Sequence, residues 1–149
     1  MEKTFVAIKP DGVQRGLIGK VIFRFEDKGF KLVGMKFIKV SPELAARHYS
    51  EHKEKPFFNG LVSFITSSPV VVMIWEGKNI VDTIRKIVGK TNPQEADVGT
   101  IRSDYGIEIG KNIVHASDSI ESAKREINIF FKEEEIVNWK QERENWIYE

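Results

Sequence analysis

Apolar positions along the chain alternate between near-continuous runs and runs at helical spacing. Thr4 to Ile8 is a short apolar segment of the kind buried on both faces of a sheet. Lys9-Pro10-Asp11-Gly12 then predicts a turn. Leu17, Ile18, Val21, Ile22 and Phe25 mark one face of a helix that Gly29 closes. Phe30 to Val40 reads as a strand edged by Lys31, Lys36 and Lys39. Ser41-Pro42-Glu43 places a cap and an N1 proline before a helix carrying Leu44, Ala45, His48, Tyr49 and His52 on one face. Pro56 breaks it, and Phe57-Phe58 opens a second helix through Leu61, Val62, Phe64 and Ile65. Val70 to Trp75 is unbroken apolar sequence, the strongest central-strand signal in the chain. After Gly77, a helix carries Ile80, Val81, Ile84, Ile87 and Val88, with Arg85 at the border of its apolar face.

Gly89 to Lys111 has no convincing periodicity, and so long a loop in a compact domain is usually functional. The apolar pair Ile113-Val114 leads back inside, and His115 follows at once. Asp118 and Ser119 are both good N-caps, and Glu121 stands three after Asp118 as in a capping box. His115 is therefore expected where a strand ends and a helix begins, beside N–H groups that favour an anion. The last helix carries Ile120, Ala123, Ile127, Phe130 and Phe131, with Glu126 at the border of its buried face. A carboxylate there needs a partner, because burying it alone is costly. The tail from Lys132 to Glu149 is charged but holds Trp139, Trp146, Ile147 and Tyr148, so it is expected to dock on its own domain or a neighbouring subunit. Without the helical pair after the second strand, the order is βαββαβ. That predicts one domain over residues 1–149, of α+β class. The expected form is a ferredoxin-like four-stranded antiparallel sheet with surrounding helices packed on one face.

The 149 residues include 23 basic and 22 acidic side chains, a net charge of +1, which gives no bulk case for nucleic acid or an anionic membrane. There is no cysteine, hence no disulfide framework or thiolate metal site. The N-terminus runs straight into a strand pattern and no apolar run reaches membrane-spanning length, so a cytoplasmic protein is expected.

Candidate chemistry centres on His115. A neutral imidazole can attack a phosphoryl group, but the residues alone equally allow a core or turn histidine. Lys9 ends a central strand, a place for a ligand or for a solvated charge. Gly12, Gly16 and Gly19 before Lys20 lack the spacing and the following Ser or Thr of a P-loop. His48 and His52 have the spacing of a helical zinc pair, but no glutamate follows the first and no third ligand is evident. Of the adjacent Phe57 and Phe58, one must line a surface or cleft.

Taken together, these segments resemble the nucleoside diphosphate kinases. The signature is Asn112-x-x-His115-Ala116-Ser117-Asp118-Ser119. Flanking matches are Lys9-Pro10-Asp11-Gly12 with Gln14-Arg15-Gly16, His48-Tyr49 through Pro56-Phe57-Phe58, and Thr91-Asn92-Pro93. Gly99-Thr100-Ile101-Arg102 and Ser122-Ala123-x-Arg125-Glu126-Ile127 complete the set, which runs from Thr4 to Phe131.

The resemblance implies ping-pong transfer of the terminal phosphoryl group of a nucleoside triphosphate, through a phosphohistidine at His115, to a nucleoside diphosphate. It implies that Glu126 hydrogen-bonds the ring nitrogen that does not react, supported by Ser117, with Tyr49 near the transferring group. Arg85, Thr91 and Arg102 would hold the β- and γ-phosphates with Mg2+, the ion being bound mainly through the nucleotide. Lys9 and Asn112 would hold the sugar, and Phe57 the base, with Ile109 opposite and Leu61 nearby. Stacking with few base-edge contacts tolerates every base, so ATP, GTP and others would serve. Asp118 is given a local structural role, and Phe58 is left for the core. The resemblance also implies dimers that build into hexamers or tetramers, and a hexamer is expected, with the Pro93 loop at subunit contacts.

Ser103 and Ile129-Phe130-Phe131 depart from the commonest pattern without touching a proposed catalytic group. Three other readings compete. A regulatory nucleotide-binding module would lack catalytic residues, yet every expected position is filled. A phosphohistidine relay to proteins would use the same His115. A ferredoxin-like nucleic-acid binder would need aromatic strands and a basic face, which the chain lacks.

Overall fold

The computed structural model describes residues 1–149. Its strands are β1 (Glu2–Ile8), β2 (Lys31–Ile38), β3 (Val70–Gly77) and β4 (Val114–Ala116). Its helices are α1 (Pro10–Gln14), α2 (Ile18–Lys28), α3 (Pro42–His48), α4 (Phe58–Ile65), α5 (Ile80–Val88), α6 (Ile101–Tyr105) and α7 (Ile120–Phe130). The sheet order is β2-β3-β1-β4 with every neighbour antiparallel, the ferredoxin-like α+β arrangement. No helix is long and apolar enough to cross a membrane.

The helices do not keep to one face. Phe5 and Ala7 of β1, with Val70, Val72 and Ile74 of β3, pack against Ala45 of α3, Ile65 of α4 and Ile127 and Phe130 of α7. Val6 and Ile8, with Val71, Met73 and Trp75, pack against Val21 and Phe25 of α2 and Ile80, Ile84 and Val88 of α5. The period of two sends alternate residues to opposite faces, and the apolar runs of β1 and β3 leave no face for water. Helices α2 and α5 are the two crossovers of the basic fold. The inserted pair α3–α4 and the trailing α7 cover the side expected to be open.

Other boundaries also move. The expected turn at Lys9–Gly12 is the short helix α1, with Pro10 in its first turn. Gly29 caps α2 in the left-handed region (φ 106°), and Ser41 caps α3 by accepting from Leu44 N at 3.0 Å, as the residue types predict. Helix α3 ends at His48, and His52 falls in a separate 3-10 turn over Ser50–His52, so the two histidines do not share a helical face. The aperiodic 89–111 segment is built from short pieces, 3-10 turns at Pro93–Glu95 and Ile109–Lys111 around α6. Phe58 is only half-buried, so it is not a core residue. The tail docks on its own chain: Val137 N donates to Val33 O at 2.8 Å and Trp139 Nε1 to Leu32 O at 2.8 Å.

Candidate active site

The site begins with a strained turn. Ile113 has φ 76°, unusual for a β-branched residue and worth about 1–3 kcal/mol of strain. Val114 N donates to Asn112 O at 2.8 Å across it, closing a three-residue γ-turn. The start of α1 holds this turn from below. Ile113 N donates to Asp11 Oδ2 at 2.9 Å, and Ile113 O accepts from Lys9 N at 2.8 Å. A Cβ on Gly12 would lie 2.8 Å from Ile8 Cγ2 and 2.9 Å from Ile113 O, so only glycine lets α1 approach. Gly12→Ala should therefore lower stability by about 1–3 kcal/mol, read as a reduced midpoint in denaturant unfolding.

The turn delivers Asn112 buried into the cavity. Its Oδ1 accepts from Lys9 Nζ, and its Nδ2 donates to Thr91 O at 2.9 Å. One amide thus ties the end of β1 to the loop before α6. Burial draws the Lys9 pKa down to about 8 against the pull of Asp11, with Arg102 and Lys111 adding to the fall.

Past the turn, β4 pairs with β1, and His115 stands opposite Ala7. His115 sits mid-strand rather than at the strand end, and α7 begins only at Ile120. Ser119 alone caps that helix, accepting from Ser122 N at 3.0 Å; the Asp118–Glu121 capping box is not formed. Asp118 instead lies exposed on the cavity wall, and that frees it from the local structural role expected for it.

Glu126, one and a half turns into α7, meets His115 from the side. Its Oε2 accepts from His115 Nε2 at 2.7 Å and its Oε1 from Ser117 Oγ at 2.5 Å. Burial pushes this carboxyl up, but the hydrogen bond and charge of His115, then Ser117 and His48, outweigh it and hold Glu126 below its ordinary value. With Nε2 carrying the proton, Nδ1 carries the lone pair. Tyr49 is pushed up to about 12 by burial and by Glu126, so its hydroxyl stays protonated.

Two guanidinium groups complete the far end. Arg85 Nη1 donates to Ala116 O at 3.2 Å. Arg102 is buried and more committed than the sequence suggests: Nε, Nη1 and Nη2 donate to Asn112 O, Gly89 O and Val114 O at 3.3, 3.0 and 2.7 Å. It braces β4 and the 89–112 loop, which leaves two of its five N–H groups for a ligand. Burial, and then Arg85, lower its pKa to about 10, so it remains charged at neutral pH.

These residues line one cavity of about 400 Å³. Lys9, Tyr49, Phe57, Leu61, Arg85, Thr91, Arg102, Ile109, Asn112, His115 and Glu126 all border it, and Ser117 stands just behind, on Glu126. Phe57 and Ile109 are exposed at its mouth, with Leu61 half-buried beside them. The wall also includes His48, His52, Phe64 and Arg125, which the sequence did not single out as site residues. Lys9 and Lys111 lie 5.6 and 4.0 Å from the Phe64 ring centroid, an apolar face within reach of two cations. Arg125 was named only within the Ser122–Ile127 motif, without a role of its own. His48 had been weighed only as a partner of His52.

A cation-lined, aromatic-mouthed cavity around a carboxylate-held histidine is suited to the phosphates and base of a nucleotide. Similarity to known proteins agrees. The family model described as nucleoside diphosphate kinase matches residues 2–136. The nucleoside diphosphate kinase of Acaryochloris marina is 61% identical over 149 residues, all of both chains. That of Oceanobacillus iheyensis is 62% identical over 148 residues, 99% of this chain and 100% of the relative. Among solved structures, the Halobacterium salinarum nucleoside diphosphate kinase in complex with CDP superposes with a TM-score of 0.97 at 51% identity, over 99% of each chain. A nucleoside diphosphate kinase family protein from Babesia bovis gives 0.97 at 49% identity, over 99% of this chain and 100% of that one. The chain belongs to the nucleoside diphosphate kinase family. It is an enzyme that transfers phosphoryl groups between nucleotides.

Proposed function

We propose that the transfer is ping-pong, with His115 as the covalent carrier. The observation that supports it best is the 2.7 Å contact of His115 Nε2 with Glu126, which leaves Nδ1 unprotonated and nucleophilic. In the first half-reaction the Nδ1 lone pair forms a bond to the terminal phosphorus of a nucleoside triphosphate. The bond from that phosphorus to the bridging oxygen breaks, and the diphosphate leaves. The ring, now bonded at both nitrogens, is cationic, and the Glu126 carboxylate stabilises it. In the second half, a terminal oxygen of another nucleoside diphosphate attacks the phosphorus and the P–N bond breaks.

The shared cavity and the family pattern support the other roles. Arg85, the two uncommitted N–H groups of Arg102 and the Thr91 hydroxyl bind the phosphates, whose equatorial oxygens carry the charge. Lys9 and Asn112 hold the sugar, and Tyr49 donates near the transferring group. Phe57, Ile109 and Leu61 grip the base by its faces, which supports broad use of ATP, GTP and other nucleotides. The donor set also bears on the metal. The cavity presents cations and a hydroxyl, with Glu51 and Asp118 as its exposed carboxylates. That suits Mg2+ held by the nucleotide's own phosphates rather than by a protein cage. When bound, the ion neutralises phosphate charge.

We place the enzyme in the cytoplasm as a single-domain homo-oligomer, a hexamer. The edge strand β2 supports assembly, since its Met35 and Phe37 are 51% and 63% exposed; so do Val98 and Ile107, exposed in the 89–111 segment. Initial-rate kinetics test the mechanism. Varying one nucleotide at several fixed levels of the other should give parallel double-reciprocal lines, whereas intersecting lines would point to a ternary complex. Phe57→Ala should raise KM for every nucleotide by on the order of tenfold with little change in kcat, since a stacked base is worth about 1–3 kcal/mol.

A further inference from the structure

The histidine that the mechanism does not use lies against the pair that it does. His48 packs among Phe5, Tyr49 and Phe130, and its ring stands 5.1 Å from His115 at 88°. Its Nδ1 is 3.7 Å from Glu126 Oε2, too far for a hydrogen bond, and has no other partner. The two side chains are only 3% and 4% exposed. An unpartnered buried nitrogen facing a buried carboxylate is uncommon, and of the wall nitrogens without a hydrogen-bond partner, which include His52 Nδ1 and Arg125 Nε, His48 Nδ1 is the one beside the Glu126 carboxylate. Ligand atoms of His48, His115 and Glu126 all lie within 4.8 Å of one another, and all three residues border the cavity, which supplies an entry path.

We propose that His48, His115 and Glu126 form an inhibitory site for a borderline-soft transition-metal ion such as Zn2+, bound by His48 Nδ1, His115 Nε2 and Glu126 Oε2. Two imidazoles and one carboxylate are a zinc donor set, whereas Mg2+ demands an octahedron of oxygens. Ligands about 2.1 Å from a tetrahedral ion sit roughly 3.4 Å apart. The 2.7 and 3.7 Å separations from Glu126 Oε2 bracket that value, and the three ligand atoms lie within 4.8 Å of one another, so the two rings must close on the ion to bind it. Ser117 on Oε1 orients the carboxylate as an outer-shell partner.

Coordination changes the chemistry of His115 without oxidation or loss of charge from the ring. The ion takes the Nε2 lone pair, the ring proton moves from Nε2 to Nδ1, and the imidazole stays neutral. Nδ1 then has no lone pair to give to phosphorus. Metal binding stands on the geometry alone; the inhibition rests on His115 being the phosphoryl carrier.

The test uses whole enzyme freed of nucleotide and Mg2+. Zn2+ is titrated calorimetrically, and Co2+ spectroscopically as a reporter of tetrahedral nitrogen and oxygen ligands. The expected result is a 1:1 complex that His48→Phe, which keeps a ring among its aromatic neighbours, weakens by roughly tenfold or more. His48→Gln serves as a second variant, and thermal unfolding confirms that each is folded. The rate of phosphoenzyme formation from Mg-ATP should then fall in proportion to zinc occupancy, resist added nucleotide and recover with a chelator. Each His48 variant, compared with its own zinc-free rate, should escape that inhibition. No zinc binding, or equally tight binding by both folded variants, would overturn the site. His48-dependent binding that leaves phosphorylation untouched would overturn the inhibition. A zinc-free enzyme that forms no phosphoenzyme would instead indict the carrier role of His115.

Discussion

His115→Ala should form no phosphoenzyme and should lose turnover by on the order of 10⁴-fold or more. The neighbouring groups are poorly placed to replace the lost nucleophile: the His48 side chain is only 3% exposed, with its free Nδ1 3.7 Å from Glu126. The Ser117 hydroxyl is committed to Glu126 Oε1 at 2.5 Å, and the Tyr49 phenol, pushed up to about 12, stays protonated. The loss should be chemical rather than structural. The backbone of β4 still pairs with β1 through Val6–Ala116, Ala7–His115 and Ile8–Val114, and the His115 side chain is 31% exposed, so little core packing disappears. Nucleotide affinity by calorimetry should stay within a few-fold of the parent. Residual phosphorylation of the folded variant at a rate near the parent's would show that another group carries the phosphoryl.

Glu126→Ala should slow phosphoenzyme formation by roughly 10²-fold while nucleotide binding changes little. Two hydrogen bonds vanish together, so the His115 ring loses both its orientation and the partner that keeps its proton on Nε2. The cationic phosphohistidine also loses its counter-charge. Glu126→Gln separates these effects. Its amide oxygen still accepts from Nε2 while its amide nitrogen donates to Ser117, so geometry survives and only the charge is gone; an intermediate rate follows. Normal turnover by the alanine variant would refute the orienting role. The carboxyl is held below its ordinary value, so its contribution to stability is present at neutral pH and is lost as acid drives it through that lowered value.

Local pattern carried much of this molecule and failed at definable points. The apolar runs at Thr4–Ile8 and Val70–Trp75 announced central strands because they are buried on both faces. That same pattern implied a second layer of helices, which the ferredoxin-like template obscured. Gly29 and Ser41 marked helix ends because a left-handed cap and a side-chain acceptor have local signatures. The residues that border the cavity were legible as a set, since the motifs fall in order from Lys9 to Glu126. Their geometry was not. No local signal shows that Ile113 bends at φ 76°, a conformation imposed by Asp11, Lys9 and Gly12 from a hundred residues away. Nor does composition show that Arg102 spends three nitrogens on backbone carbonyls. His48 illustrates the limit best. Its helical spacing from His52 suggested one partner, and the fold supplied two others, Glu126 on α7 and His115 on β4.

The central claim is that a phosphoryl group rests on His115 between two nucleotides. The direct measurement is to incubate the enzyme with γ-labelled ATP and Mg2+, remove all nucleotide, and test the protein-bound label before a chase with GDP. The account predicts label on His115 that is stable to alkali, labile to acid, and released as labelled GTP within one turnover. A stable nucleotide complex without label on the protein, or a label that GDP cannot collect, would contradict it.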